Sequence, residues 1–346
     1  MGYFRPLIHQ AVGHRPSPYL SPDTPIIKLN SNENPYPPSP QTFAVLKNFD
    51  GEWLRRYPDP YAQEFCTVAA RILGIPASWL IVGNGGDDLL NIVLRACVDP
   101  TRPVVYPTPT YGLYHTLGKI CGAPIIEVPY HPDDTLPIDK IAQAKGALTL
   151  VASPNSPSGH QIPLNELKQL ASKVQGVLVI DEAYVDFAEE SALSLVHTYD
   201  HVMVIRTLSK GYGLAGLRFG FGIAQPSVLS GLFKVKDSYG VDAIANRVAA
   251  AAMADQPYKN RRVAQIKTDR QDLTTALQAL GFQVPPSHGN FVLAAHGEAK
   301  RLHDALQVNG IWVRYCATDK LRITVGTPEQ HQQLLDTLTG LLPGNR

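Results

Sequence analysis

The sequence predicts an α/β fold in which a mostly parallel central sheet is flanked by helices, followed by a small α+β C-terminal domain. Short apolar runs alternate with segments of helical period through the middle of the chain. Several of these runs are continuously apolar, as expected for strands covered on both faces. Alternating strands and helices indicate a mostly parallel sheet. Beyond about residue 255 a long polar helix replaces the alternation, which indicates a second unit.

The elements follow in order along the chain. Residues 1–40 are proline-rich and are predicted to form an irregular arm that packs with the small domain. The large domain is predicted over 41–255 and the small one over 256–346. Strands of the large domain are expected at 104–106, 125–128, 148–151, 177–180, 202–205 and 219–222, with a helix over 163–174. In the small domain we expect helices over 258–280 and 298–308, strands at 311–314 and 321–325, and a closing helix.

Composition excludes several classes of protein. The 346 residues are 44% hydrophobic, which is enough for a large core. The net charge of +1 gives no sign of the excess positive charge expected of a protein that binds nucleic acid or acidic membranes. Four cysteines without a C-x-x-C pair favour reduced thiols in a cytoplasmic protein. The start has no apolar signal-peptide core, and no apolar stretch is long enough to span a bilayer. The histidines form no H-E-x-x-H motif, so no metal is predicted.

Lys210 is the first candidate for catalysis. It follows the apolar run 202–205 and begins a glycine-rich segment that ends at Arg218. An amine at the end of a buried strand, near donors suited to a phosphate, is what an imine-forming enzyme needs. On composition alone a surface lysine in a loop is the more ordinary interpretation. Asp181, at the end of another strand, favours the catalytic one.

Two polar side chains that follow strands predict a pocket. Ligands bind at the carboxyl ends of strands in parallel α/β sheets, so Asp181 is expected to face one. A carboxylate there can keep a pyridine-type ring nitrogen protonated. Its alternative role is to cap the next helix. Asn155 lies in a turn with two prolines and a glycine, which is expected to leave its amide free to donate to a ring oxygen. Taken alone, that segment is only a turn.

A glycine-rich segment and a tyrosine add weaker signals. Residues 83–88 lead into an apolar helix, and the first N–H groups of a helix favour an anion. The segment is not a dinucleotide fingerprint, because Asp88 fills the last glycine position, and the chain has no Walker A motif. Tyr111, after the strand at 104–106, is suited to stack on a flat ring. The alternative is a tyrosine packed in the core.

Taken in order, these motifs resemble the fold type I pyridoxal-phosphate-dependent aminotransferases, and most closely the histidinol-phosphate aminotransferase family. The resemblance covers nearly the whole chain. The lysine segment and D-E-A-Y (181–184) are specific for the superfamily, whereas D-E-A-Y-V-D-F and the asparagine-rich arm point to the narrower family. The matching segments are 29–35, 56–59, 83–88, 109–111, 154–159, 181–187, 207–218 and 321–326.

The resemblance implies pyridoxal 5′-phosphate as the cofactor. It implies that Lys210 forms the Schiff base and moves the proton, and that Asp181 pairs with the ring nitrogen. Asn155 and Tyr184 are expected to hydrogen-bond the ring O3′, and Tyr111 to stack on the ring. The cofactor phosphate is expected to bind Gly85, Gly86, Asp87, Thr207, Ser209 and Arg218.

The resemblance also implies partners and substrates. Tyr57 is expected to reach the cofactor phosphate of the neighbouring subunit, which makes a homodimer obligatory. Arg322 is expected to receive the anionic end of the substrate. Arg314 is its expected companion, with a solvated strand-edge charge as the alternative. Tyr19 and Asn32 complete the expected substrate pocket.

The implied reaction is a ping-pong transfer of an amino group from histidinol phosphate to 2-oxoglutarate within histidine biosynthesis. The segments after Ser21 and after Asn34 depart from the family pattern, and both lie in the arm that helps to cover the substrate. They bear on substrate identity more than on reaction type. The alternatives are an aromatic amino-acid aminotransferase, a threonine-phosphate-type decarboxylase, and a catalytically silent binding protein on the same fold. A nicotinamide-dependent dehydrogenase is disfavoured by the missing fingerprint.

Overall fold

The computed structural model describes residues 3–10, 21, 23–316 and 319–342, and within these ranges eleven strands form two sheets. The strands are β1 (Ile27–Leu29), β2 (Leu80–Gly83), β3 (Val104–Thr108), β4 (Ile125–Pro129), β5 (Leu148–Ala152), β6 (Val177–Asp181), β7 (Val202–Thr207), β8 (Gly220–Ala224), β9 (Phe291–Ala295), β10 (Ile311–Cys316) and β11 (Lys320–Thr324).

Helices surround both sheets. They are α1 (Pro6–Gln10), α2 (Pro40–Lys47), α3 (Gly51–Leu54), α4 (Gln63–Leu73), α5 (Gly86–Cys97), α6 (Leu113–Cys121), α7 (Ile138–Gln143), α8 (Leu164–Lys173), α9 (Leu193–Thr198), α10 (Pro226–Val235), α11 (Ala243–Ala254), α12 (Gln256–Ala279), α13 (Ala299–Val308) and α14 (Pro328–Leu341). None of the described helices is long and apolar enough to cross a membrane.

The larger sheet has seven strands in the order β2-β8-β7-β6-β5-β3-β4. All neighbouring strands are parallel except β8, which runs antiparallel to both β2 and β7. Successive side chains of a strand point to opposite faces. In β7, Val204 therefore joins one apolar cluster while Met203 and Ile205 join another. The sheet is covered on both faces, which explains why its strands read as continuous apolar runs.

The smaller sheet has four strands in the order β1-β10-β11-β9. Its edge strand β1 comes from the N-terminal arm and pairs in parallel with β10, with Leu29 opposite Val313. Both side chains are buried in the core of this sheet. The expectation of a wholly irregular arm was therefore wrong over Ile27–Leu29, because a run of three residues is too short to show a strand period.

The predicted α/β architecture with a mostly parallel sheet is observed, and the predicted strands recur within a residue or two of their expected bounds. Three strands, β1, β2 and β9, were not among those predicted. The predicted helix over 163–174 is α8, with Pro163 as its N-cap. The long polar helix is α12, which begins at Gln256 directly after α11 ends at Ala254.

Candidate active site

The carboxyl ends of β5, β6 and β7 meet at one edge of the larger sheet. In the register, Ala152 of β5 lies opposite Asp181 of β6, which in turn lies opposite Ile205 of β7. Three segments therefore lie side by side there: the turn that contains Asn155, the end of β6, and the loop that contains Lys210. The first condition for a pocket at this edge is met.

The Lys210 amine is held between the arm and an aromatic ring. Its Nζ donates to the backbone carbonyl of Ser31 at 3.2 Å and lies 5.8 Å from the centre of the Tyr184 ring. The Nδ2 of Asn34 donates to the Lys210 carbonyl at 2.9 Å, and this bond holds the loop that contains Lys210 against the arm. Lys210 is partly buried, not a surface charge. The ordinary alternative of an exposed loop lysine does not describe it.

Asn32 supports Tyr184. Asn32 is 1% exposed, and its Nδ2 donates to the Tyr184 hydroxyl at 2.8 Å. Its backbone N–H donates to Thr324 Oγ1 at 2.9 Å, and its carbonyl accepts from Asn290 Nδ2 at 3.0 Å. The residue has a φ of 54°, a left-handed conformation that asparagine tolerates better than most residues. These contacts differ from the expected direct contact with substrate: they favour a role behind Tyr184.

Asp181 is a buried carboxylate without a cationic partner. It is 8% exposed; Oδ2 accepts from the Tyr114 hydroxyl at 2.8 Å and Oδ1 from the Ala183 N–H at 3.1 Å. No described lysine, arginine or histidine forms an ion pair with it. Burial raises the pKa of Asp181 to about 6, against the two hydrogen bonds that lower it. The alternative of a helix cap fails, since the N-cap of the next helical turn is Tyr184.

Asn155 lies beside this edge with its amide already engaged. Its Nδ2 donates to the carbonyl of Pro109 and to Ser158 Oγ, each at 3.0 Å, and its Oδ1 accepts from Thr110 Oγ1 at 2.8 Å. The expectation that this amide is free was therefore wrong. To donate to a ring oxygen, Nδ2 would have to give up one of its two acceptors.

The start of α6 supplies two tyrosines to the site. The Tyr111 ring is half-buried, and its hydroxyl donates to Asp87 Oδ1 at 3.2 Å. The Tyr114 ring is fully buried, and it meets the Tyr111 ring edge to face with the ring centres 5.8 Å apart. Burial raises the pKa of both phenols, so both remain protonated donors at neutral pH. Tyr114 was not among the predicted site residues; it lies in the first turn of α6, whereas Tyr111 precedes that helix, so helical spacing gave no reason to pair the two.

The turn before α5 and Arg218 form a site suited to an anion. Gly85 is the N-cap of α5 and has a φ of 89°, and no side chain caps the helix. The first N–H groups of α5 therefore lack intrahelical acceptors. A Cβ at Gly85 would lie 2.6 Å from the Arg218 Nη2, so only glycine lets the guanidinium approach. The Asp87 carboxylate lies 3.4 Å from the Arg218 guanidinium.

Thr207 and Ser209 lie beside this anion site. The Ser209 N–H donates to Thr207 Oγ1 at 3.1 Å, and that hydroxyl lies 2.9 Å from Ser209 Oγ and 3.2 Å from the Phe219 carbonyl. Both residues are buried. In this arrangement the Thr207 hydroxyl links the Ser209 segment of the loop to the residue before β8.

Two arginines lie side by side on neighbouring strands of the smaller sheet. Arg314 of β10 lies directly opposite Arg322 of β11, so both side chains are on the same face. Arg322 donates to Ser156 Oγ and to the Asn30 carbonyl, each at 3.0 Å, and its buried Nε has no partner among the described residues. Arg314 is exposed. It is not on an edge strand, because β10 lies between β1 and β11.

One predicted site residue, Tyr57, is not brought into this cluster, and another, Tyr19, lies outside the described residues. Tyr57 is 82% exposed and stacks on Tyr239 with ring centres 4.5 Å apart. Among the described residues, no group of three or more histidine, cysteine, aspartate or glutamate side chains is placed to hold a metal ion.

The residues present fit pyridoxal phosphate. The buried Asp181 carboxylate lacks a cation that a protonated ring nitrogen would supply. The absence of a Cβ at Gly85 lets the Arg218 guanidinium approach the start of α5, and together they offer the cationic group and the uncapped N–H groups that suit a phosphate. The half-buried Tyr111 ring lies between these two features, in hydrogen-bond contact with Asp87 and edge-on to Tyr114.

Comparisons with known proteins agree with the fold and identify the family. Residues 24–338 match the model of the family described as aminotransferase class I and II. A histidinol-phosphate aminotransferase of Trichormus variabilis is 55% identical, with 98% of this chain and 99% of the relative covered. Another from Citrifermentans bemidjiense is 41% identical, with 92% of each covered.

A solved structure gives the same result. The histidinol-phosphate aminotransferase of Sinorhizobium meliloti, determined in complex with pyridoxal-5'-phosphate, superposes with a TM-score of 0.88 at 26% identity over 99% of both chains. The predicted fold type I architecture is thereby confirmed. This chain belongs to the class I and II aminotransferases and, within them, to the histidinol-phosphate aminotransferase family.

Proposed function

We propose that this protein is a pyridoxal-phosphate-dependent aminotransferase that converts histidinol phosphate and 2-oxoglutarate to imidazole acetol phosphate and glutamate, in the cytoplasm and as a step of histidine biosynthesis. The observation that carries the proposal is an amine, Lys210, and a buried carboxylate without a cationic partner, Asp181, after the carboxyl ends of adjacent parallel strands. The names of the relatives in the same family support the choice of substrates.

The chain's own residues divide the task of holding the cofactor. Arg218 and the first N–H groups of α5 would bind the phosphate, since a guanidinium grips phosphate with two hydrogen bonds. Tyr111 would stack on the ring, and Asp181 would face the ring nitrogen. The hydroxyl of Tyr184 already accepts from Asn32, so its own hydrogen is available to donate to the ring O3′.

When bound, pyridoxal phosphate supplies a protonated ring that accepts electron density from the substrate Cα. Asp181 keeps the proton on the ring nitrogen, because a negative charge nearby favours the charged form of its neighbour. Lys210 is the amine that would join the cofactor and, once released, carry a proton on Nζ to and from the substrate. The Ser31 carbonyl, which accepts from Nζ at 3.2 Å, orients that amine.

Arg322 and Arg314 would bind the anionic end of the substrate. Two cationic side chains directly opposite each other on a sheet repel, and an anion between them removes that penalty. Arg322 is held by Ser156 and the Asn30 carbonyl, with its Nε still unpaired among the described residues. The phosphate of histidinol phosphate and a carboxylate of 2-oxoglutarate both suit such a pair.

The proposal includes a homodimer with shared sites, in which Tyr57 serves the neighbouring subunit. Tyr57 stacks on the exposed Tyr239, and the exposed Tyr61 ring meets the exposed Phe233 edge to face. Exposed apolar rings of this kind are expected of an interface and not of a free surface. Trp53 and Leu54, close to Tyr57 in the sequence, are exposed as well. The test mixes two inactive variants, Tyr57→Ala and Lys210→Ala, under conditions that exchange subunits. Activity returns only if Tyr57 acts across the interface, and a mixture that stays inactive contradicts shared sites.

The reaction itself is tested with purified protein loaded with pyridoxal phosphate. Histidinol phosphate and 2-oxoglutarate should yield glutamate, and borohydride reduction should leave the cofactor on the peptide that contains Lys210. Lys210→Ala is the control and should do neither. Release of carbon dioxide from an amino-acid phosphate without glutamate would support the decarboxylase, and faster turnover of aromatic amino acids would support the other aminotransferase. A protein that binds no cofactor would contradict the whole proposal.

The division into an arm (1–40), a large domain (41–255) and a small domain (256–346) is part of the same proposal. The boundary at 255 is supported by the one-residue break between α11 and α12. Limited proteolysis with and without substrate tests the division: the domains predict cleavage near that boundary before cleavage within either sheet.

A further inference from the structure

Tyr114 makes a buried contact with the group that would face the cofactor ring. Its hydroxyl donates to Asp181 Oδ2 at 2.8 Å, and both side chains are buried. The other carboxylate oxygen accepts only the Ala183 N–H. Of the described residues that contact the carboxylate, Tyr114 is thus the one side-chain donor.

The position of Tyr114 is fixed by the two rings on either side of it. The Tyr106 ring lies 5.8 Å from it at 64°, and the Tyr111 ring 5.8 Å from it at 85°. Edge-to-face pairs of this kind are favourable and restrict the ring in between. The hydroxyl of Tyr114 therefore cannot swing away from Asp181 without breaking both contacts.

The other groups facing Asp181 cannot do the same work. Asp87 and Glu182 are anions that oppose ionisation of the carboxyl, and Tyr111 donates to Asp87 instead. Tyr184 is engaged with Asn32 and the Lys210 amine lies near its ring. Only Tyr114 and the Ala183 N–H favour the ionised form of Asp181, because hydrogen bonds donated to a carboxylate stabilise it.

We propose that Tyr114 is a positioning residue of this site: its hydroxyl orients the Asp181 carboxylate toward the ring nitrogen and keeps it ionised, so that the proton resides on the ring. This inference rests on the proposed use of pyridoxal phosphate. Tyr114 touches neither cofactor nor substrate and acts only through Asp181.

The test measures cofactor affinity in the protein freed of cofactor, with Tyr114→Phe as the variant. The phenylalanine keeps the ring and both edge-to-face contacts. We expect pyridoxal phosphate to bind about tenfold more weakly at neutral pH, the scale of a lost hydrogen bond to a charged group. The loss should grow as the pH falls toward 6, because Asp181 without its donor takes up a proton more readily.

Two controls separate positioning from packing. Tyr106→Phe removes a buried hydroxyl of the same aromatic cluster, one that donates to Glu127 at 2.9 Å, and should leave the affinity unchanged. An analogue of pyridoxal phosphate with CH in place of the ring nitrogen should bind wild type and Tyr114→Phe equally, since it has no proton to share with Asp181.

The outcomes are distinguishable. If Tyr114→Phe weakens the analogue as much as pyridoxal phosphate, the residue only packs, and the inference is wrong. The inference is also wrong if neither ligand responds to the variant. If wild type binds neither ligand, the proposed function fails first, and this is seen before any variant is compared.

Discussion

Replacing Gly85 with alanine should weaken cofactor binding much more than it weakens the fold. Gly85 has a φ of 89°, and a Cβ there would lie 2.6 Å from the Nη2 of Arg218. The substitution therefore strains the backbone and pushes the guanidinium away from the anion site. Backbone strain is expected at any glycine with a positive φ, whereas displacement of the Arg218 guanidinium is expected only at Gly85.

The two effects have different magnitudes and different readouts. A left-handed conformation costs a residue with a Cβ about 1 to 2 kcal/mol, which in a chain of this length lowers the midpoint of thermal unfolding by roughly 1 to 3 °C. Loss of the hydrogen bonds between Arg218 and a phosphate costs about 1.5 to 3 kcal/mol. That corresponds to a dissociation constant for pyridoxal phosphate raised by roughly 10- to 150-fold.

Gly281→Ala is the matched control. Gly281 also has a φ of 89°, but nothing lies within 4 Å of the place where its Cβ would be. Fluorescence titration of the cofactor-free protein gives the dissociation constant, and a thermal melt gives the stability. Both variants should melt at a similarly lowered temperature, and only Gly85→Ala should bind more weakly. The reasoning is refuted if the affinity of Gly85→Ala stays within about twofold of wild type, or if Gly281→Ala loses as much affinity.

Three further predictions concern other parts of the site. Burial raises the pKa of Asp181 to about 6, so the cofactor-free protein loses stability as the pH rises from about 4 through 6. In chemical denaturation, the free energy of unfolding of Asp181→Asn should equal that of wild type in acid and exceed it by roughly 3 kcal/mol at pH 8. Arg322→Gln should raise the KM for the phosphate substrate roughly tenfold or more and Arg314→Gln less, because only Arg322 is held in place; equal effects in steady-state kinetics would contradict this. Asn32→Ala and Tyr184→Phe should each lower kcat, and the double variant should be no worse than the poorer single one, since the first residue acts through the second; additive losses would exclude that link.

The parts of the site that follow strands could be predicted from the sequence. Lys210 and Asp181 each follow an apolar run, and parallel strands bring their carboxyl ends to one edge. The register of β6 and β7 places Asp181 opposite Ile205, so the loop that contains Lys210 begins at the same edge of the sheet. The glycine turn before α5 was by itself only a weak signal for an anion, and Gly85 was placed at the cofactor phosphate through the family resemblance.

Contacts made by backbone or across the two sheets could not be predicted in this way. The acceptor for the Lys210 amine is the backbone carbonyl of Ser31. Because every residue has a backbone carbonyl, the sequence does not indicate which one serves as the acceptor. Asn32 was assigned to the substrate because it lies in a family motif; its φ of 54° and its bond to Tyr184 appear only when the arm is folded. Asn155 was expected to be free, but its partners are a carbonyl and a hydroxyl of nearby turns.

The pairing of β1 with β10 makes substrate choice and amine chemistry depend on one rigid unit. Leu29 is fixed opposite Val313, and two residues later the chain presents the Ser31 carbonyl to Lys210. The same small sheet carries Arg322 two strands away from β1. A substitution that shifts this sheet to accommodate a larger or shorter substrate therefore also moves the Ser31 carbonyl, which accepts the hydrogen bond from the Lys210 amine. Changes of specificity in this fold should come from side chains on the sheet's surface, because repacking its core would alter reactivity at the same time.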